Sequence, residues 1–405
     1  MSREVRLAAM TSQGRSSLHS NNKRIAWIDN LRAVIIIFVV HFHSCITYSH
    51  VGDWYIKDGP EGTLTEKLPY IFWIFHLQSF FMGVLFFIGG WMAYGALQRK
   101  GSWNFIVERT NRLAVPALLY MFIVHPFILY KLMNGTTGSA RFTDLTIYLN
   151  YIKSGDVWSG SGPLWFVLTL LVFCISFTLC SVYPNTLKIN TQPSLPSTHN
   201  FFILALFLSL ATAITRIFFP IGTSVFNFQF AYFPQYIVFF ILGIALAQNG
   251  GLDKITDCRW ARKIGLGALI GGPLFLALIL FIGGGPTEGP QPGEHGPILY
   301  FGGLNLYAFL AATWEQTTGM GLALGILVCF RRQFDVSNAV TRWVSSRSFA
   351  VYFIHAPVLV WLTTMYDSLA IDTFPKILLL TLSGLIISFG FAEIIKRTWG
   401  IGRYF

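Results

Sequence analysis

The first hydrophobic segment of the chain carries ionisable side chains in a stretch apolar enough to cross a membrane. It reads Asp29-Asn30-Leu31-Arg32-Ala33-Val34-Ile35-Ile36-Ile37-Phe38-Val39-Val40-His41-Phe42-His43. Ionisable groups in a spanning helix are costly, and they usually face the bundle interior and serve a pathway or a reaction. At about 100° and 1.5 Å per residue, Arg32 and His43 lie about 20° apart around the helix and about 16 Å apart along it. We therefore expect these two residues to share one face, with His41 on the opposite side.

Histidine exchanges protons near neutral pH, so His43 has the chemistry of a general base that takes the proton of an attacking hydroxyl group. A histidine bonded to a neighbouring helix is the alternative, and the residues alone weigh the two about equally. Asp29, three residues before Arg32, suits an intrahelical ion pair. Four further ionisable residues in apolar segments are candidate pocket residues whose roles the sequence leaves open: His41, His76, His125 and Glu315. A hydrogen bond between helices is the alternative for His41, and Glu315 suits a pair with a buried histidine or arginine.

A second basic cluster, Arg109-Thr110-Asn111-Arg112, follows the second hydrophobic segment. Two arginines three residues apart share a helix face, and their planar guanidinium groups suit phosphate oxygens. A cluster that binds lipid headgroups is the alternative. The predicted cytosolic position favours the first interpretation, because a phosphate-bearing carrier such as coenzyme A would arrive on that side.

The composition predicts a membrane protein. Of 405 residues, 54% are hydrophobic and only 12% charged, and the mean hydropathy is +0.56. A soluble domain would carry roughly twice that charged fraction. The net charge of +11 follows the alternation of loops and forms no patch, so we expect a lipid bilayer and no nucleic acid as partner.

Apolar windows of about 20 residues predict an all-α, multi-pass integral membrane protein with about ten transmembrane helices. They lie near 28–48, 70–97, 111–132, 163–183, 200–219, 229–248, 263–283, 299–330, 348–366 and 374–395. Lysine and arginine are roughly three times as frequent on one side of these spans as on the other, which predicts that both termini are cytosolic. The predicted organisation is a polar basic tail over 1–24, a transmembrane domain over 25–400 and a short tail over 401–405. The kind of membrane stays open.

Other patterns favour structural roles. Small residues four apart, Gly267 with Gly271 and Gly321 with Gly325, predict close helix packing. Trp54 falls near a predicted membrane interface, where an aromatic belt explains it. The five cysteines lack metal-ligand spacing, and we expect no metal.

Several motifs occur in the order seen in the integral-membrane acyltransferase-3 family, which this sequence resembles over nearly its whole length. Its closest likeness is to the branch that includes the bacterial glucan biosynthesis protein C. The matching motifs are Asp29-x-Leu31-Arg32 with His43, Phe80 to Gly90, Arg109-x-x-Arg112, Pro163-Leu164-Trp165, and Tyr352-Phe353-Ile354-His355-x-Pro357.

The resemblance implies a ten-helix bundle that moves an acyl group from cytosolic acyl-CoA, expected to be acetyl-CoA, to a hydroxyl acceptor. It implies that His43 is essential and that Arg109 and Arg112 hold the donor, and we expect Arg32 and His355 to shape the reaction centre. The acceptor is a small molecule or a glycan. One departure concerns sugar-acetylating relatives, which often have a Trp-Ser-Leu-x-x-Glu-Glu-type segment where this chain has no carboxylate.

Two functions from other classes remain open on the sequence. A transporter or flippase would use the same buried histidines and arginines as a substrate or proton path. A structural subunit of a glucan-modifying complex would turn over no acyl-CoA. Acyl transfer by detergent-solubilised protein separates the enzyme from both.

Overall fold

A computed structural model of the chain describes residues 25–137, 145–182, 197–283, 300–398 and 404. Within these ranges the regular structure is helical, and a single bridge between Val225 and Phe228 is the one strand-like pairing. The prediction of an all-α protein is therefore confirmed. The helices are α1 Ala26–Ser49, α2 Leu64–Lys100, α3 Ser102–Leu119, α4 His125–Thr137, α5 Leu145–Lys153, α6 Trp165–Val182, α7 Thr198–Phe218, α8 Phe233–Asn249, α9 Leu252–Asp257, α10 Arg259–Ile282, α11 Leu306–Gln333, α12 Ala339–Tyr366 and α13 Thr373–Arg397.

Nine helical segments in the described part of the chain are long and apolar enough to cross a membrane. They coincide with nine of the ten predicted spans, and the protein is an integral, multi-pass membrane protein. The remaining span, predicted over 299–330, corresponds to α11, whose 28 residues are long enough to cross. Its centre carries the buried polar residues Glu315 and Gln316, which lower its hydropathy below that of the other nine.

The first helix lies near the middle of the bundle. It packs against α2, α12 and α13, and the other main helix pairs are α2 with α8, α10 with α11, α12 with α13, α7 with α11, and α3 with α6. Peripheral helices expose aliphatic and aromatic side chains, such as Leu206 on α7 and Phe281 on α10. Such a surface suits lipid tails. Because α1 is packed among other helices, its ionisable residues lie within the bundle.

Glycines bring α2 and α8 into backbone contact. A Cβ atom on Gly90 would overlap the carbonyl oxygen of Phe240, and one on Gly243 would overlap that of Phe87. Small residues permit this close approach between membrane helices. The Phe80 to Gly90 motif therefore acts mainly in helix packing.

The predicted role of the four-residue glycine patterns is half right. Gly321 and Gly325 lie against α10, where a Cβ on Gly325 would stand 3.0 Å from the Cα of Gly265. The expectation for Gly267 and Gly271 is wrong, because nothing lies within 4 Å of a Cβ built on either. Helical rotation explains this, since these two face away from α11.

Four connections gather at one end of the bundle, which the charge asymmetry predicts to be the outer side. They run over 50–63, 154–164, 219–229 and 300–305. The predicted cytosolic tail over 1–24 lies outside the described residues, as does all of 401–405 except residue 404. The orientation and the tail boundaries stay predictions.

Candidate active site

A cavity of about 770 Å³ lies beneath the four connections, with His43 in its wall. Most of its lining comes from α1, α2, α10, α11 and the connections, with single residues from α4, α6, α7 and α12. It is rich in aromatic side chains, including Trp54, Trp165, Tyr300 and Trp314. Walls of this kind bind the apolar faces of a small molecule, while a few polar groups orient it.

His43 is one of three nearly parallel rings. Its imidazole stacks on Trp54 with 3.5 Å between ring centroids and an interplanar angle of 18°. The His355 ring lies 5.4 Å from that of His43 at 19°, and 6.2 Å from Trp54 at 13°. The fold thus brings together two histidines that the sequence separates widely, because α12 packs along α1.

The hydrogen bonds of His355 indicate which of its nitrogens carries the proton. Nδ1 lies 2.7 Å from the carbonyl oxygen of Tyr352, and because that oxygen only accepts, Nδ1 must donate. Nε2 then holds a lone pair, and it is buried without a hydrogen-bond partner among the described residues. The Tyr352 hydroxyl donates to the carbonyl of Pro163, so two of the sequence motifs meet here.

The imidazole of His43 lines the cavity. Within the described ranges its Nδ1 is buried and has no hydrogen-bond partner. The stack on Trp54 limits rotation of the ring. An unpaired imidazole held by stacking is available to exchange a proton with a bound molecule.

A tyrosine pair closes one side of the cavity. The hydroxyl groups of Tyr55 and Tyr120 lie 3.2 Å apart, and the Tyr55 ring lies 5.7 Å from that of His125, another lining residue. Tyr120 begins the wide π turn over 120–124 that joins α3 to α4, and His125 follows it. Burial raises the pKa of Tyr55 well above its ordinary value, although its bond to Tyr120 acts in the opposite direction. Tyr55 therefore stays protonated and serves as a donor or acceptor.

Gly162 makes this arrangement possible. Its φ is +48°, and a Cβ atom there would overlap the hydroxyl of Tyr55 and the ring of Tyr120. Asn227 fixes the same connection from the other side, because its side-chain amide donates to Ser161 Oγ at 2.9 Å and to the Gly162 carbonyl at 2.8 Å. The wall of the cavity is thus tied across three connections.

Arg32 lies at another depth. It is half-buried and pairs with Asp29 at 3.2 Å, which agrees with the intrahelical ion pair considered from the sequence. It is outside the lining of the His43 cavity, and the buried side chains of Ile36 and Val39 occupy the intervening part of α1. The two residues share a direction, but about 16 Å of helix separates them. A role for Arg32 at the reaction centre stays a prediction.

Arg109 and Arg112 also lie well away from the cavity. Along an ideal helix they precede His125 by about 24 Å and about 20 Å, near the end of the bundle where α1 begins. The Arg109 guanidinium lies over the ring of Phe105 at 5.2 Å, whereas Arg112 is exposed. Their role with a donor stays a prediction.

The structure separates the four candidate pocket residues whose roles the sequence leaves open. His41 bonds to Thr381 on α13 at 3.1 Å and lies outside the cavity lining, while the His76 ring packs edge-on against Trp314. His125 and Glu315 line the cavity.

Two functional candidates were misassigned or missed from the sequence. Trp54 is not part of an interfacial belt, because its ring stacks on His43. Arg216 received no role from its position at the end of a span, yet it is fully buried, lines the cavity and pairs with Glu315 at 2.6 Å. A hydrophobic pattern indicates where a helix lies but not which distant side chain will meet it.

No cluster of three His, Cys, Asp or Glu residues suited to a metal ion occurs in the described ranges. The expectation of a metal-free site stays a prediction. A comparison with protein families finds that a model described as an acyltransferase domain matches residues 25–393. No curated protein and no solved structure matches the chain.

Proposed function

The chain belongs to the acyltransferase family whose domain model covers residues 25–393, and from that membership we propose that it transfers an acyl group from acyl-CoA to a hydroxyl acceptor at His43. The observation that carries the proposal is the pair of parallel histidines, of which His43 lines a cavity of about 770 Å³ and His355 lies behind it, outside the lining. An acyltransferase needs a base next to a space that holds both reacting groups.

The chemistry follows from the weakness of an alcohol as a nucleophile. In the proposed step, the acceptor oxygen attacks the thioester carbonyl while a ring nitrogen of His43 takes the hydroxyl proton. The carbon–sulfur bond then breaks, the acyl group stays on the acceptor oxygen, and the leaving thiolate takes the proton from the imidazolium. The products are the ester and free CoA, so His43 returns to its starting state.

His355 acts in this proposal as a positioning residue with an electrostatic effect. Two imidazolium ions with 5.4 Å between ring centroids would repel each other strongly away from water. The pair therefore holds no more than one positive charge at a time, which leaves a neutral histidine ready to accept the next proton. The bond from His355 Nδ1 to Tyr352 keeps its ring parallel to that of His43.

The donor is proposed to bind between the two ends of the bundle. Arg109 and Arg112 would bind phosphate oxygens with charge-assisted hydrogen bonds, about 20 to 24 Å along the helix from His125 in the cavity wall. Arg32 would face the donor between these levels. Such a separation suits a carrier whose phosphates and acyl carbon are joined by a long flexible arm, as in CoA. The donor would have to displace the packing of buried residues such as Ile36 on its way.

The finer identity of both substrates is also a proposal. An acetyl donor and an acceptor that is a small molecule or a glycan follow from the resemblance, as does a nearer likeness to the branch of the glucan biosynthesis protein C. The cavity supports an acceptor of modest size with apolar faces, because aromatic rings form much of its wall.

Detergent-solubilised protein tests the proposal directly. We expect it to release thiol from labelled acetyl-CoA and to transfer the label to a hydroxyl compound without a sealed membrane. Vesicle uptake of a labelled solute with no acylated product would instead support the transporter. The absence of thiol release and of uptake would favour a structural subunit.

A further inference from the structure

A second polar centre lies in the wall of the His43 cavity, formed by Arg216 and Glu315. Arg216, in the last turn of α7, is fully buried. Its Nη2 donates to Glu315 Oε2 at 2.6 Å and its Nε donates to the carbonyl of Ala231 at 3.3 Å. Its Nη1 is buried and finds no hydrogen-bond partner in the described part of the chain. Nη1 is thus an unused donor on a residue that lines the cavity.

The surroundings of this pair hold it in place. Glu315 Oε1 accepts from the side-chain amide of Gln316 at 3.3 Å, and Gln316 in turn accepts from Gln235 at 3.1 Å. The Arg216 guanidinium lies over the Tyr232 ring, 5.3 Å from its centroid. A guanidinium held by α11 and by the turn over 230–232 has little freedom to move toward another partner, so the direction of its unused donor is set in advance.

The pair lies at a different part of the cavity from the histidines, and α2 connects the two regions. Phe81 contacts Phe42, the neighbour of His43, with 5.1 Å between ring centroids. Gln78, three residues earlier, lies against the Tyr232 hydroxyl beneath Arg216. A molecule in the cavity can therefore contact both centres along one face of α2.

Ion pairs inside membrane-spanning segments are costly, and such residues usually mark functional sites. Here the pair is electrically neutral, because Glu315 already compensates Arg216. An anionic ligand would compete with Glu315 for the same guanidinium and would be repelled by that carboxylate. An uncharged oxygen can instead accept from Nη1 without disturbing the pair.

We infer that Arg216 is an acceptor-binding residue, whose Nη1 donates to an uncharged oxygen of the acceptor while the reacting hydroxyl lies at His43. The identification of this ligand as the acceptor rests on the proposed function, whereas the binding site itself does not. The ligand class is a neutral molecule with a hydroxyl group at one end, an apolar body that packs on the aromatic walls, and a carbonyl, ether or second hydroxyl oxygen at the other end. An acidic acceptor is excluded.

Three small alcohols with one skeleton test the charge and the oxygen separately. They are methyl 4-(hydroxymethyl)benzoate, its free carboxylate, and benzyl alcohol, which lacks the second oxygen. The methyl ester should raise the melting temperature of the purified protein most and should be acylated with the highest kcat/KM. Preference for the carboxylate, or equal binding of benzyl alcohol, overturns the inference. Protection by the ester without CoA release leaves the site standing and counts against the proposed function.

The substitution Glu315→Gln supplies a readout that a purely structural pair would not affect. It keeps the side-chain shape and leaves the charge of Arg216 uncompensated, so the ratio of carboxylate to ester kcat/KM should rise about tenfold or more. An unchanged ratio in a folded variant overturns the inference. The donor KM should stay at its wild-type value, because the phosphates of the donor are proposed to bind at Arg109 and Arg112.

A second variant covers the case in which Glu315→Gln does not fold. The double substitution Arg216→Met with Glu315→Met removes both charges at similar volume, a change that buried pairs often tolerate. The ester should lose its advantage over benzyl alcohol. The matched control is Arg331→Met with Asp335→Met, which removes the ion pair of 2.9 Å at the far end of α11 and should leave the ester's advantage intact. The same ester advantage in both double variants refutes the role of Arg216.

Discussion

Replacing His43 with Phe tests the proposed base while keeping the packing around it. Phe retains a flat ring that can stack on Trp54, a contact worth roughly 0.5–1.5 kcal/mol in aromatic pairs, so the free energy of unfolding should change little. It removes both ring nitrogens. General base catalysis contributes about 10²- to 10⁴-fold, which corresponds to about 2.7–5.5 kcal/mol of transition-state stabilisation. We expect kcat to fall at least about 100-fold.

The assay follows thiol release from acetyl-CoA in detergent, with the acylated product measured in the same samples. The matched control is His41→Phe, two residues earlier on α1, whose imidazole bonds to Thr381 outside the cavity. The control should keep kcat within a few-fold of wild type. Both variants should melt near the wild-type temperature, which separates lost chemistry from lost folding.

The reasoning would be refuted by a folded His43→Phe protein with a kcat within tenfold of wild type. An equal loss in His43→Phe and His41→Phe would also refute it, because the effect would then come from general disturbance of α1. The donor KM should not change in His43→Phe, because the phosphates of the donor are proposed to bind at the other end of the bundle.

Two further outcomes are expected. Changing Arg109 and Arg112 to Ala should raise the donor KM by about 10- to 100-fold, since a charge-assisted hydrogen bond contributes roughly 1.5–3 kcal/mol. Lys at both positions should recover part of the lost donor affinity. A donor titration that does not change argues against a phosphate site. Gly162→Ala should destabilise the fold by about 1–3 kcal/mol, because its backbone has positive φ and a Cβ would overlap Tyr55 and Tyr120. Thermal unfolding measures this loss. The control is Gly267→Ala, because Gly267 has open space around it.

Much of the fold follows from the sequence. A bilayer requires about 20 apolar residues per helical span, so the positions of the spans can be read from hydropathy alone, and nine of them coincide with helices that meet this requirement. The exception, α11, carries Glu315 and Gln316 at its centre. Its long helix survives because neighbouring helices, not lipid, surround those side chains.

Helical geometry predicts only part of the candidate site. Helical geometry correctly puts His43 and His41 on different faces of α1, since azimuth along one helix depends only on residue spacing. The same geometry says nothing of where a cavity ends, so it could not reveal that Arg32 lies outside the lining while sharing a direction with His43.

The contacts between helices were decided by the tertiary structure. Arg216 and Glu315 are 99 positions apart, and His43 meets His355 only because α1 and α12 pack together. Hydrophobic periodicity predicts which face of a helix points inward. It does not predict the partner of each side chain on that face, because the hydrophobic effect has no preferred direction. Which side chains then meet depends on how far each helix is shifted along its neighbour and how it is rotated. Local packing sets both, as where the missing side chain of Gly90 lets α2 approach α8, and where that of Gly162 leaves room for Tyr55 and Tyr120.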